Sequence, residues 1–215
     1  MYEIHGGTNF GFGAGANADN DGEDFQPVIT SYDYGAPITE QGVATDDFHA
    51  FRAIVSGALG RALPSIPPPP PVAPFGEVTP QPWASVWDHL PAAKHVTLPQ
   101  PNETLFGQNH GMVLYRKQVR FAKDTLLYIE GVHDYATVFA DGRYLGTLSR
   151  VLGDGLPIGD TVTIPASTGS TTQIDILIDS FGHVGYGHYM RDPKGLTGVV
   201  HTPTRILRDW DVFAL

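Results

Sequence analysis

Tyr2, Asn9, Phe10, Phe12, Tyr32, Asp33 and Tyr34 stand near the start of the chain, beside glycine-rich turns. Sugars offer C–H patches to aromatic faces and hydroxyls to phenol, amide and carboxylate groups, so these residue types suit a carbohydrate pocket. The same composition also describes ordinary packing aromatics, and residue type alone leaves both readings open. Asp33 and Glu40 flank the turn Gly35-Ala36-Pro37. A pair of carboxylates about 5 Å apart is what a retaining glycosidase needs, but nothing in this spacing enforces that gap.

Other chemistries find less support. The run Gly11-Phe12-Gly13-Ala14-Gly15-Ala16 has the glycines of a nucleotide loop, yet no crossover of the right length follows and no acidic residue closes a βαβ unit. Asn17, Asp19, Asp21 and Gly22 fall at positions one, three, five and six of a calcium loop, but position twelve is Val28, where a bidentate glutamate is required. A solvated acidic loop is the expected state of Asp19, Asp21, Glu23 and Asp24. Of nine histidines, His183 and His188 alone approach a compact ligand spacing, in a glycine-rich turn without a carboxylate pattern; no metal or other cofactor is expected. There is no G-x-S-x-G nucleophile elbow. Asn102-Glu103-Thr104 is a glycosylation sequon of a kind that arises by chance.

The elements that must position these groups fall into two blocks. Residues 1–5 alternate as a strand does, and GGTNFGFGAGAN (6–17) is too rich in glycine for an element interior. PVITSYDY (27–34) is β-branched and aromatic and suits an extended stretch. Thr45 caps a predicted helix with Asp46 and Asp47 in its first turn; Phe48, Phe51, Ile54, Val55, Ala58 and Leu59 recur at helical spacing before Gly60. Prolines crowd residues 65–80, which read as a semi-rigid connector. WASVWDHL (83–90) allows one short helical turn. From there GMVLYRKQVRF, TLLYIEG, YATVFADGRYLGTLSR, TVTIPA, QIDILIDSF and DWDVFAL read as successive strands, with a hairpin at Asp141-Gly142. The expected domains are a head over 1–64, the connector over 65–80 and a β-sandwich over 81–215.

Composition bounds the function. The 215 residues carry 13 Lys and Arg against 23 Asp and Glu, a net charge of −10, which argues against an electrostatic grip on nucleic acid or an anionic membrane. Gly (25) and Pro (18) make a fifth of the chain and favour turns and strands over long helices. The absence of cysteine excludes disulfides and a cysteine nucleophile. No apolar run approaches the ~18–20 residues that span a bilayer, and the first residues lack a signal peptide's basic and apolar regions. A soluble chain is expected, its compartment not fixed. A strand, a glycine loop and one amphipathic helix cannot bury their own apolar faces, so the head needs a neighbour.

YEIHGGTNFGFGAGAN (2–17), PVITSYDYGAPITEQG (27–42), DDFHAFRAI (46–54) and IPPPPPVAPFGEV (66–78) resemble the end of the catalytic barrel and the following linker in β-galactosidases of glycoside hydrolase family 35. GMVLYRKQV (111–119), GVHDYATVFADGRYLGTLSR (131–150), FGHVGYGHYMRDPKGLTG (181–198) and LRDWDVFAL (207–215) are similar to that family's first β-domain. The resemblance implies a mainly β chain: a β-sandwich, jelly-roll-like, preceded by the last β/α unit of an incomplete (β/α)₈ barrel. It implies retaining hydrolysis of terminal β-galactosides by two glutamates on barrel strands four and seven, to which no position here corresponds. The galactoside, or free sugar, and the missing N-terminal barrel portion are the implied partners. Tyr2 and Tyr34 match family tyrosines that line the galactose pocket, the first also able to steady the nucleophile's carboxylate. Without the glutamates the chain is expected to be inactive alone; the alternative is a non-catalytic carbohydrate-binding or scaffolding β-sandwich module.

Four departures from the family pattern bear on this expectation. Glu3 stands where an apolar residue, often Met, is usual, and strand alternation puts it opposite Tyr2, where a buried charge is costly unless paired. Gly35 replaces an Asp after TSYDY. His183 and Gly185 replace an Arg and an Asn in the β-domain turn.

Overall fold

The computed structural model describes residues 2–20, 22–28, 30–151 and 160–215. Asp21 of the acidic loop and Ile29 of the extended stretch lie outside them. Two compact units are present: Met1–Phe10 with Thr30–Trp83, and Gly11–Ile29 with Ala84–Leu215. Gly11–Ile29, part of the head by sequence, thus packs within the second unit.

The first unit contains one helix, α1 (Asp46–Leu59). The Thr45 hydroxyl accepts from the Phe48 amide at 3.3 Å, Asp46 and Asp47 lie at the positive end of the helix dipole, and Gly60 terminates it in the left-handed region at φ 61°. No residue of α1 is buried; Phe51, Ile54, Val55 and Leu59 are exposed. Of the strand expected over residues 1–5, Met1 lies outside the described residues and residues 2–5 carry no strand. A strand is stabilised by a ladder, and in this unit Thr8↔Ser31 and Ile38↔Ala44 are isolated bridges. For the same reason residues 30–34 of PVITSYDY carry no strand beyond the bridge at Ser31. Residues 65–80 carry neither helix nor strand, because a proline run cannot donate to either.

The second unit is mainly β. In chain order its strands are β1 (Gly15–Asn17), β2 (Gln26–Pro27), β3 (Lys94–Val96), β4 (Met112–Val119), β5 (Thr125–Ile129), β6 (Val132–His133), β7 (Tyr135–Ala140) and β8 (Arg143–Ser149). There follow β9 (Thr161–Ile164), β10 (Thr172–Asp179), β11 (His183–Val184), β12 (Gly195–Leu196), β13 (Val200–Thr202), β14 (Arg205–Ile206) and β15 (Trp210–Ala214). A 3₁₀ turn at Val86–Asp88 supplies the short helical turn, and α2 (Asn102–Phe106) was not anticipated. An antiparallel six-stranded sheet runs β3-β15-β4-β10-β7-β8, and an antiparallel four-stranded sheet runs β14-β13-β5-β9. Alternate residues of both enter one core: Val113, Val138, Ile176 and Val212 from the larger, Leu127, Ile129, Ile164 and Val200 from the smaller. This is the arrangement of a β-sandwich. Asp141 (φ 48°) and Gly142 (φ 77°) form the β7–β8 hairpin turn, which needs positive φ at both positions.

The glycine-rich segment is not wholly loop. β1 pairs in parallel with β11 and antiparallel with β2, and brings Phe25 into a small cluster with Ala16 and Val184. Phe25 covers a buried ionic network. The Lys194 ammonium, 0% exposed, donates to both Asp134 oxygens at 3.0 and 2.9 Å and to Asp192 Oδ2 at 2.7 Å. Arg150 Nη2 donates to the same Asp192 oxygen at 2.7 Å, and its Nε lies 2.7 Å from Asp134 Oδ1 as an ion contact outside hydrogen-bond geometry. The Phe25 ring faces both cations, 3.7 Å from the Arg150 guanidinium and 4.9 Å from the Lys194 ammonium. Burial alone would raise the Asp192 pKa, but hydrogen bonds from His133, Arg150 and Lys194 hold it well below the usual carboxylate range.

Two expectations follow. Lys194→Met leaves two buried carboxylates with one cation fewer and should cost about 3–5 kcal/mol of stability in chemical denaturation. Because Asp192 is depressed in the folded state, its contribution is fully present above the ordinary Asp value of about 3.9 and is lost as pH falls through that value toward the folded one. Urea midpoints measured from pH 7 to 3 should therefore fall in wild type, and Asp192→Asn should flatten that fall.

Candidate functional site

The first unit brings Tyr2, Tyr32 and Tyr34 together. The Tyr2 and Tyr32 hydroxyls are 3.3 Å apart. The Tyr34 ring meets Tyr32 edge-on at a centroid distance of 4.8 Å and Tyr2 at 6.2 Å. Tyr2 is 78% and Tyr34 64% exposed, whereas Tyr32 is half-buried. The cluster thus presents two open phenol rings around a third that is held from behind. The hydrogen bond to Tyr2 is the largest cause that raises the Tyr32 pKa to about 12, followed by desolvation and neighbouring charge.

Glu40 ties the two segments that carry these rings. Its Oε2 accepts from the Thr8 hydroxyl at 2.5 Å and its Oε1 from the Ser31 hydroxyl. Thr8 and Ser31 are themselves the bridged pair, with Tyr32 N–H donating to the Gly7 carbonyl at 3.0 Å and Asn9 N–H to the Thr30 carbonyl at 2.8 Å. Hydrogen bonds from Ser31 and then Thr8 lower the Glu40 pKa, so the carboxylate is the form this arrangement favours. Gly6 permits the approach: a Cβ there would lie 1.6 Å from the Tyr32 carbonyl oxygen.

The two carboxylates weighed as a hydrolytic pair are both engaged locally. Asp33 Oδ1 accepts from the Ala36 amide at 3.0 Å and so closes its own turn, and both Glu40 oxygens hold hydroxyls. Glu3 keeps the cost expected of it, since its Oε2 is buried without a hydrogen-bond partner among the described residues. Asn9 Nδ2 donates to the Thr30 carbonyl at 3.2 Å, whereas Phe10 points to solvent.

In the second unit His183 Nε2 lies 3.2 Å from Glu103 Oε1, and both oxygens of Glu103 accept from the Lys194 amide at 3.1 and 3.0 Å. His183 thus faces a carboxylate, and Gly185 donates its N–H to the Ala16 carbonyl at 3.0 Å. Asn102 of the sequon is buried inside α2. Among the described residues no group of three or more His, Asp or Glu is placed to hold a metal, and no helix is long and apolar enough to cross a membrane.

The sequence names Tyr32 within the aromatic cluster and Glu40 as a partner for Asp33, but gives neither the role that the structure shows. For Tyr32 the signal was present, because it sits two residues from Tyr34 in TSYDY. Nothing in the spacing of Glu40 marks a carboxylate that reaches back to Thr8. The hydroxyl contact gives a direct check. Tyr2→Phe removes it and should bring the Tyr32 pKa down from about 12 toward the ordinary tyrosine value near 10, read by NMR titration of ring-labelled tyrosine. An unchanged Tyr32 titration would contradict the geometry.

Comparison with known proteins places these segments. Residues 102–215 match the family described as "Beta-galactosidase, first all-beta domain", and residues 1–58 match "Glycosyl hydrolases family 35". The chain is 35% identical to a β-galactosidase of Xanthomonas manihotis over all of this chain and 35% of the relative's length. It is 34% identical to β-galactosidase 8 of Oryza sativa subsp. japonica over 98% of this chain and 33% of that protein, and 32% identical to a β-galactosidase of Homo sapiens over 100% and 31%. It spans about a third of the length of these curated relatives. The matches run through both units in one order, and on them the chain belongs to the family 35 β-galactosidases.

Proposed function

We propose that this chain forms one wall of the galactose pocket of a retaining β-galactosidase acting on terminal β-galactosides. The observation that carries this reading is the exposed cluster of Tyr2, Tyr32 and Tyr34, lying on segments within the family 35 match. Tyr2 and Tyr34 hydrogen-bond galactose hydroxyls and pack ring against the sugar's C–H face, while Tyr32, fixed through Ser31 and Glu40, sets their angle. The bond-breaking carboxylates are two glutamates of a barrel that this unit completes: one protonates the leaving oxygen, the other attacks the anomeric carbon, and water then releases galactose. Neither corresponds to a position in this chain.

The apolar side of α1 supports the same reading. Ile4, Pro37, Phe48, Phe51, Val55 and Leu63 line a cleft of about 220 Å³, and exposed apolar surface of this kind marks a docking face. The barrel portion is its occupant, and the second unit is the jelly-roll-like β-domain that follows the barrel.

The purified chain alone should not turn over a chromogenic β-galactoside, because loss of even one acid–base group typically forfeits about 10²–10⁴ in rate. Adding a separately produced polypeptide that covers the first two thirds of the Xanthomonas manihotis relative should restore turnover, and Tyr34→Phe should then raise KM more than it lowers kcat. Turnover by the chain alone that survives rigorous purification and is abolished by Asp33→Asn would overturn the assignment. Saturable galactose binding that survives Tyr2→Phe with Tyr34→Phe would place sugar recognition in the β unit and favour a binding module. Deletion of residues 1–64 is the poorer test, since it also removes Phe25 from the ionic network.

A further inference from the structure

The four cations Lys117, Arg120, Arg205 and Arg208 line one cleft of about 360 Å³ in the second unit, with Thr171 and Asp209 beside them. The chain has 13 Lys and Arg in all and a net charge of −10, so a gathering of four is against the composition. None of the four makes an ion pair among the described residues, whereas Arg116, Arg150 and Lys194 each do. Asp209 is the sole carboxylate in the lining. Like charges drawn together without counter-charges work against folding, and a chain with 23 acidic residues had partners to offer.

Two of the cations are held in place by the backbone. Lys117 Nζ donates to the Asp209 carbonyl at 3.2 Å, and Arg205 Nη2 donates to the Arg120 carbonyl at 3.2 Å. Each of these groups has further N–H donors, and Arg120 and Arg208 are both exposed. The β4 end, the β14 edge and the turn before β15 thereby supply a set of charged donors around one cleft, two of them held before any ligand arrives.

We infer that this cleft binds a compact multivalent oxyanion, a sulfate or phosphate group, through Lys117, Arg120, Arg205 and Arg208. Guanidinium groups match the paired oxygens of such an anion, and the ammonium adds a point charge. An extended polyanion is the poorer fit, because the chain as a whole carries a net charge of −10 and repels it. The anion arrives free or as an ester on a sugar. The inference does not depend on the galactose assignment, since it concerns a different unit and different residues.

The test is a titration of the full isotope-labelled chain, followed by amide NMR at constant ionic strength. Sodium sulfate and potassium phosphate should give saturable shifts at residues 117–120 and 205–209, and sodium chloride should not. Galactose 6-sulfate and galactose 6-phosphate form the second arm, with neutral galactose beside them. An ester that binds more tightly than the free anion makes the natural ligand a substituted sugar, and equal affinity makes it the free ion; either result supports the site. Arg120→Ala with Arg208→Ala should weaken binding about tenfold or more, while Arg143→Ala, a cation outside the cleft, should leave it within about twofold. Shifts that never saturate, that chloride reproduces, or that Arg143→Ala weakens equally overturn the proposal. So does a short DNA duplex that binds this face while sulfate and phosphate do not. Tyrosine-cluster variants leave this readout untouched, so failure here and failure of the galactoside reading are separate results.

Discussion

The second unit depends on the burial of Lys194 between Asp134 and Asp192. An ammonium removed from water is tolerated only when its protons are met and its charge is opposed, and here three carboxylate contacts of 2.7–3.0 Å meet them. The groups come from distant parts of the chain. Asp134 lies between β6 and β7, Arg150 follows β8, and Asp192 and Lys194 precede β12. Asp134 Oδ2 also accepts the Phe181 amide at 2.7 Å. A single ionic knot therefore fixes where the long turn after β10 lies. Phe25 closes it with a ring over both cations and so ties the glycine-rich segment to the β unit.

The first unit is organised by a different balance. Few of its residues are buried, and its order comes from hydrogen bonds that converge on Glu40. A carboxylate that accepts two hydroxyls joins two irregular segments without a sheet, leaving Tyr2 and Tyr34 open to solvent. The helix shows the same economy. Thr45 and Gly60 satisfy its ends locally, while its apolar side stays uncovered. Caps are short-range and need no partner; an apolar stripe needs one.

What was legible in the sequence follows this division. α1 could be placed from Thr45 to Gly60 because capping is written in adjacent residues, and β4, β5, β7, β9, β10 and β15 from period-two alternation toward a core. The Asp141-Gly142 turn was legible because few residue pairs accept positive φ twice. The expected strand over residues 1–5 failed because alternation states a preference, whereas a strand requires a neighbour to receive its hydrogen bonds. β1 was hidden for the converse reason: glycine and alanine carry little strand propensity, and pairing with β11 overrides it. The ionic network was illegible because its members are separated by up to sixty positions, from Asp134 to Lys194, and each alone reads as a surface charge. Tyr2 and Tyr34 are named through resemblance; Tyr32 and Glu40 are named from residue type, but their contacts with Tyr2, Thr8 and Ser31 emerge only when the two segments are brought side by side.

The two sets of charges in the second unit show how the same chemistry serves different ends. In the buried network each cation faces carboxylates at 2.7–3.0 Å, the Lys194 ammonium directs its donors at them, and an aromatic ring lies over both cations. In the cleft Arg120, Arg205 and Arg208 are exposed and Lys117 half-buried, two of the four are pinned to carbonyls, and one carboxylate stands against four positive groups. Neutralised and dry, the first set gains from rigidity and has nothing left to offer a ligand. Unpaired and wet, the second keeps donors free at a cost to folding that the protein would avoid by placing any of its 23 acids alongside. That cost, borne in a strongly acidic chain, is the physical ground for reading the cleft as a place where a negative group belongs.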